Sequence, residues 1–314
     1  MAVDTAAAPQ TAPPRPRRRA SRLTRGDRLA VGLMVGVPVA FVVAFIWFPT
    51  LSSVYLSFTN WDGIGGLNTI NWIGTTNYQQ IVDIYPPFWP AFRHNLYWLA
   101  FLALVPTTLG MLFAYLLDKQ IRGSRVYQSI FFLPVVISLA IVGFIWQLVY
   151  APEQGLINNI LGTTEQGNLI NWLGDPSINL WAVLVAAAWR HAGYIMILYL
   201  AGLKSVDPAL REAAAIDGAG EWYAFRTVVF PAMMPINIVV LVVTVIEALR
   251  AFDIVYVINR GRNGLELLSV LVTDNIVGEA SRIGYGSALA VILLVISIVP
   301  ITIFLANVFK EQQA

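Results

Sequence analysis

Arg190, His191 and Glu247 stand inside long apolar stretches of this 314-residue sequence. A charge in such surroundings is costly to desolvate, so it faces a protein interior or a wet cavity, where it can hold the polar groups of a solute. Tyr194 falls about one helical turn from Arg190 and His191, while Thr244, Glu247 and Ala251 share one helical face, so the two stretches can form a polar wall. The residues leave a second reading open: Arg190 and Glu247 form a buried ion pair that fixes helix packing, and His191 satisfies a backbone carbonyl. Other chemistry is poorly represented. The sequence has 2 histidines, His94 and His191, and no cysteine, without paired acids or a His-Glu-x-x-His spacing, so neither thiolate nor zinc-hydrolase chemistry is expected. Its lysines, Lys119, Lys204 and Lys310, lie outside any Gly-x-x-x-x-Gly-Lys-Ser/Thr context, so no phosphate-cradling loop is encoded.

The elements that must position these residues are set by composition. With 57% hydrophobic and 12% charged residues, the chain has far less charge than the roughly 25% of a soluble globule. Six apolar stretches are each long enough for the about 20 residues that span a bilayer as helix. They run from Leu29 to Phe48, Asn95 to Leu117, about Val126 to Tyr150, about Ile178 to Leu203, about Ile236 to Val257 and about Ser287 to Phe309. Pro106 and Pro134 fall inside spans, a placement that neighbouring helices tolerate. Residues 1–28, rich in Ala and Pro and carrying Arg15, Arg17, Arg18, Arg19, Arg22, Arg25 and Arg28, read as a disordered basic tail at the inner membrane face rather than a nucleic-acid arm or a cleaved signal.

Most of the 20 basic residues fall in that tail, around Lys119, Arg122 and Arg125, around Lys204, Arg211 and Arg226, and at Lys310, which places these segments and both termini in the cytoplasm. The stretches 49–92 and 151–177 contain no Lys or Arg and carry Trp61, Trp72, Trp89 and Trp172 as expected outer-interface anchors. The segment 259–286 holds Arg260, Arg262 and Arg282 with Glu266, Asp274 and Glu279, and its apolar middle predicts a short re-entrant or surface helix. Arg250 and Asp253, near the outer end of the fifth span, are expected to be solvated at the interface.

The loop between the fourth and fifth spans, residues 204–235, is the most structured polar segment. Asp207 is a good N-cap, Pro208 suits the first helical position, and Gly218 with Gly220 supplies a stop, so a short helix outside the membrane is expected. Ala213, Ala214, Asp217 and Gly218 would give it a small-residue face open to another protein. A second short helix, from Glu221 to Val229, is expected to end before Pro231 and Pro235.

The order Glu212-Ala213-Ala214, then Gly218, then Val228-Val229-Phe230-Pro231 resembles the EAA loop of ABC importer permeases, whose pattern is Glu-Ala-Ala, three residues, Gly, nine residues, Ile, any residue, Leu, Pro. Val228 and Phe230 depart from it by exchanging one apolar residue for another. The segments Phe131 to Pro134, Gly155 to Asn158, Asn171 to Pro176 and Tyr194 to Leu203, with Trp146, look like the carbohydrate branch of that superfamily, most of all its permeases for glycerol-3-phosphate and for di- and oligosaccharides. Asn259 to Gly264 stands where Thr-Gly-Gly-Pro is common in that branch. The resemblance implies an all-α integral membrane protein of six transmembrane helices, with a MetI-like, type I importer permease core over 95–314 and an added first helix and outer loop over 29–94.

It also implies a location in the bacterial inner membrane and a non-catalytic role without a cofactor. Glu212, Ala213, Ala214, Asp217, Gly218 and Pro231 would couple to a cytoplasmic ATPase, with Glu212 as the electrostatic contact. Arg190, His191, Tyr194, Thr244, Glu247 and Ala251 would line the path of a sugar or sugar-like solute. The implied partners are a second related permease, two copies of the ATPase and an extracytoplasmic solute-binding protein. An ion-gradient-driven secondary transporter, with Arg190 and Glu247 as coupling groups, is the alternative from another class.

Overall fold

A computed structural model describes residues 24–119, 121–165, 168–278 and 281–311. Among the described residues the chain divides into two units, with the boundary between Leu51 and Ser52. The first unit holds most of α1 (Arg25–Leu56). Thr24 starts this helix with a capping box: its hydroxyl accepts from the Asp27 backbone N–H at 3.2 Å, and Asp27 Oδ2 accepts from Thr24 N–H at 2.9 Å. Arg25 and Arg28 therefore belong to the first turns of α1, and the rest of the expected tail, residues 1–23, lies outside the described residues. A π turn at Val43–Trp47 interrupts the α1 ladder.

The second unit is built from α2 (Thr76–Asp83), α3 (Phe88–Asp118), α4 (Ser124–Val136), α5 (Leu139–Val149), α6 (Leu156–Leu161), α7 (Asn179–Ser205), α8 (Pro208–Ile216), α9 (Glu221–Ala232), α10 (Met234–Leu249), α11 (Asp253–Asn259), α12 (Leu268–Ile276) and α13 (Ile283–Glu311). Among the described residues there is no strand, only a bridge between Thr59 and Trp72. Helices α1, α3, α7 and α13 are each long and apolar enough to cross a membrane, and two bent pairs, Ser124–Val136 with Leu139–Val149 and Glu221–Ala232 with Met234–Asn259, raise the number to six when each pair is counted as one span.

Those bent pairs differ from the straight helices expected. The third span is α4 and α5, bent by 102°. Ile137 is extended there, and Ser138 caps α5 by accepting the Ile141 N–H at 3.4 Å, a break hidden in an unbroken apolar run. The fifth span stops at Leu249 and resumes at Asp253, so Arg250 and Asp253 flank a break in the helix. The Ser269 hydroxyl donates to the Ala251 carbonyl at that break. α9 also runs past Pro231 to Ala232, because a π turn at Phe225–Val229 changes the bonding ladder just before the ring that lacks an N–H. A bend of 76° follows at Met233.

α12 is a buried element rather than a surface helix. Leu265, Leu267, Leu268 and Val270 are fully buried, and Asn95 Oδ1 of α3 accepts the Leu268 N–H at 2.9 Å. Trp172 serves the interior of the loop 151–177, donating to Asn158 Oδ1 at 2.7 Å, while Trp72 and Trp89 are exposed.

α7 is the central helix. Its first half packs with Trp98 and Leu102 of α3, and its second half with Ala114 and Leu117 of α3 and Phe225 and Val229 of α9. Two glycines allow this. A Cβ on Gly110 of α3 would lie 2.8 Å from the Ala192 carbonyl oxygen, and one on Gly193 of α7 would strike the Phe131 carbonyl oxygen in α4. Small residues at helix crossings let backbones touch where lipid offers no hydrophobic drive to associate. Gly193→Val is therefore expected to destabilise the protein by about 1–3 kcal/mol, the usual range for overpacking, and to lower its melting temperature in detergent; an unchanged melting curve would show that α4 and α7 separate freely.

Candidate functional site

The loop between α7 and α10 is shaped mainly by local signals. Asp207 Oδ1 accepts the Ala209 N–H at 2.9 Å and Pro208 opens α8. The helix ends in a Schellman motif: Gly218 N–H donates to Ala215 O at 3.1 Å, Ala219 N–H donates to Ala214 O at 3.0 Å, and Gly218 has φ 77. Glu212, Ala213, Asp217 and Gly218 are exposed, and Pro231 is exposed on α9. Ala214 is not part of that open face. It is buried and lines a pocket with Ala219 and Tyr223 of the same loop, while Leu210 and Ile216 are the exposed large apolar residues of α8, at 43% and 86%. The exposed residues Glu212, Ala213, Ile216 and Asp217 thus combine two carboxylates, an alanine and an isoleucine.

Two adjacent residues at the end of α3 hold both loop helices. Asp118 Oδ2 accepts from Arg211 Nη1 of α8 at 2.7 Å, and Arg211 Nη2 also donates to the Leu203 carbonyl near the end of α7 at 3.0 Å. Lys119 Nζ lies 2.7 Å from Glu221 Oε1 at the start of α9 and 4.6 Å from the centroid of the Tyr115 ring. These partners surround a cavity of about 310 Å³ between α3, α8 and α9. In the sequence Lys119 and Arg211 count only among the charges that orient the chain; their pairing needs α3 and the loop to meet in space.

In the membrane the structure brings together some of the expected polar wall. Arg190 Nη1 of α7 is 3.7 Å from Glu247 Oε2 of α10, an ion pair wider than a hydrogen bond. His191 Nε2 is 3.2 Å from Thr244 Oγ1, and both residues are buried. Thus His191 has a hydroxyl partner rather than a backbone carbonyl. Arg190, His191, Glu247 and Ala251 line one cavity with Trp98, Leu102, Leu139 and Phe252, whereas Tyr194 and Thr244 lie outside its lining. Its volume of about 20 Å³ admits about one water. Arg190 and Glu247 keep 21% and 34% of their side-chain surface exposed, so the pair sits at the edge of this narrow pocket rather than sealed inside it. Trp98 and Phe252 carry no signal in sequence, since an aromatic residue in a span reads as ordinary packing.

These features define a polytopic helical membrane protein with a polar loop tied to the end of α3 and a narrow polar pocket between α7 and α10. The family model of the binding-protein-dependent transport system inner membrane component matches residues 107–312, and the chain belongs to that family. It is 35% identical to the osmoprotective compounds uptake permease protein of Synechocystis, over 87% of this chain and 96% of that one. It is 30% identical to the xylose/arabinose import permease protein of Haloferax volcanii, over 88% of this chain and 87% of that one. In fold it is similar to a subunit of a bacterial ABC transporter involved in the import of the acidic polysaccharide alginate, with a TM-score of 0.75 at 21% identity, covering 92% of this chain and 96% of that one.

The clamp at the end of α3 predicts a pH window. Its hydrogen bond to Glu221 holds the Lys119 ammonium above its ordinary pKa of 10.5, and the same bond holds the Glu221 carboxyl below its ordinary 4.5. Glu221's contribution is complete above about pH 4.5 and lost as pH falls through its depressed value. Lys119's is complete below about pH 10.5 and lost as pH rises through its elevated value. Hydroxyl-radical footprinting of Trp222 and Tyr223 is expected to show more labelling in Glu221→Gln than in the unsubstituted chain at pH 7, with the difference vanishing in acid. Equal footprints at pH 7 would show that the pair does not hold α9.

Proposed function

We propose that this chain is the membrane-spanning permease subunit of an ATP-binding-cassette importer for a sugar or sugar-like solute. The observation that carries the reading is the loop 204–235. Its EAA order coincides with an exposed helix, α8, capped at both ends and tied by Arg211 to the end of α3, with Glu221 tying the next helix, α9, to the same end. Glu212, Ala213, Asp217 and Gly218, with Ile216, form the face that docks into the ATPase, while Ala214 packs α8 on its own chain and Pro231 shapes the return to the membrane. Movement of that docking face is passed through Arg211 and Glu221 to α3, so closure of two ATPase copies drives the bundle between outward and inward openings.

The chain itself contributes no ATP-hydrolysing centre in this reading; the ATPase is a separate subunit. A second, related permease supplies the other half of the path, and an extracytoplasmic solute-binding protein delivers the ligand. Residues 29–94 serve as an added anchor and outer segment, and the basic end of the chain, the loop and the carboxyl end face the cytoplasm of a bacterial cell. The sugar class is supported by the resemblance of the 95–314 core and by the solutes in the names of the relatives. Arg190, His191 and Glu247 meet the solute's hydroxyl groups once the narrow pocket widens, with Tyr194, Thr244 and Ala251 bordering the path.

Two experiments test this. A tagged chain expressed with its neighbouring genes is expected to co-purify with an ATPase; Gly218→Val, which strains a position at φ 77 by about 1–2 kcal/mol, and Glu212→Gln should each weaken stimulation of ATP hydrolysis by loaded binding protein, with Gly218→Asn closer to the unsubstituted chain. Absence of any ATPase, with uptake that collapses when the ion gradient is dissipated, would replace the importer by a secondary transporter. For the path, Glu247→Gln and Arg190→Gln are expected to lower sugar uptake about tenfold or more, as for loss of a charged hydrogen bond. Unchanged solute affinity and rate in both would reduce the pair to a packing element.

A further inference from the structure

The end of the bundle that carries the loop contains a second cleft, separate from the clamp cavity and from the narrow polar pocket in the membrane. It has a volume of about 520 Å³ and is lined by Leu117, Asp118, Gly123, Ser124, Arg125, Gln128 and Lys204. Lys204 closes α7 and Arg125 opens α4, so two cations from different spans reach one cavity at the level where the apolar helices end. Neither makes an ion pair among the described residues. The acid in the lining, Asp118, has its Oδ2 held by Arg211 at 2.7 Å. Ser124 and Gln128 bond to each other at 3.2 Å, and Ser124 Oγ donates to the Leu117 carbonyl at 3.3 Å. The cleft therefore has an uncompensated positive charge.

From this we infer that the cleft binds the phosphate of an anionic phospholipid. A guanidinium and an ammonium converging on one cavity suit a phosphodiester, the guanidinium as a fork and the ammonium as a point charge. The volume falls in the ordinary range for a small-molecule site. The surface beside it fits a lipid rather than a soluble anion. Arg125, Ser129, Leu133 and Val136 follow one another at helical spacing along α4, and Leu133 and Val136 are 63% and 74% exposed. An acyl chain lying along this stripe places its headgroup at Arg125. Basic pockets between spans are a recurring way of holding anionic headgroups. Because Asp118 lines the cleft on one side and anchors α8 through Arg211 on the other, a bound headgroup stiffens the end of α3 on which the loop is clamped.

The full-length chain, purified in detergent and examined by native mass spectrometry with phosphatidylglycerol and phosphatidylcholine of the same acyl length, tests the site without any ATPase or solute. Phosphatidylglycerol is expected to be retained preferentially. The Arg125→Gln/Lys204→Gln double variant should lower that retention by about 10- to 30-fold, the effect of removing two membrane-surface cations. Arg122→Gln, a neighbouring exposed arginine outside the cleft, should leave it unchanged. Because Arg125 and Lys204 are exposed, the double variant is expected to keep the circular dichroism and melting curve of the unsubstituted chain. Displacement of the lipid by millimolar inorganic phosphate, lost in the double variant, would keep the phosphate site and assign its occupant to a soluble source. Equal retention of the two lipids, or retention of phosphatidylglycerol unaffected by the double substitution, would overturn the proposal. A failure here leaves the importer reading standing, and a failure to recover an ATPase leaves this one standing.

Discussion

Inside a bilayer every backbone N–H and C=O must find its partner in the chain itself, and this constraint governs the shape of the protein. Straight helices satisfy it without help, but the ladder fails between α4 and α5 and again between α10 and α11. At each of these breaks a polar side chain takes over. Ser138 caps α5, and the Ser269 hydroxyl reaches the Ala251 carbonyl between α10 and α11. Gln147 of α5 donates to the Val257 and Ile258 carbonyls at 3.1 and 3.3 Å, near the end of α11. The breaks therefore also bind separate elements together, which a continuous helix would not do. Phe252, at the second break, lies against the narrow polar pocket, so the irregular backbone occurs where the fifth span lines the proposed path.

The same chain solves a different problem at its loop end. A helix that receives force has to be rigid internally and firmly attached, yet leave one face free. The Asx cap at Asp207 and the Schellman close at Gly218 supply the first property, and the ion pairs to Asp118 and Lys119 the second. Burial of Ala214 separates the attached side of α8 from its free side. Exposed ion pairs contribute little to stability on their own; their value here is positional, since consecutive residues of one span hold two consecutive helices of the loop.

The spacing of small, acidic and proline residues makes the loop legible in the sequence, because caps and helix ends are decided within a few residues of chain. The start of α1 is less legible, because the Thr24 and Asp27 capping box draws residues expected in the tail into the helix ahead of the apolar run. The polar wall is legible as a set of ionisable residues and not as a site. Arg190 and Glu247 do come together, and so do His191 and Thr244, but Tyr194 lies off the cavity, whose size and aromatic lining depend on α3. The clamp escapes sequence reading for a similar reason: Asp118 and Arg211 are distant along the chain, and a charge near a membrane end reads first as a topological signal.

Hydropathy and charge placement, properties summed along the chain, mark a polytopic helical membrane protein with a short capped helix between its fourth and fifth apolar stretches, and the EAA order carries its resemblance to importer permeases. Tertiary structure decided the rest. It set the breaks in two spans, the burial of α12, the inward face of α8 and the narrowness of the polar pocket, because each depends on which distant backbone or side chain supplies a partner. An apolar stretch states that a segment belongs in lipid, but only its neighbours decide where it can stop being a helix.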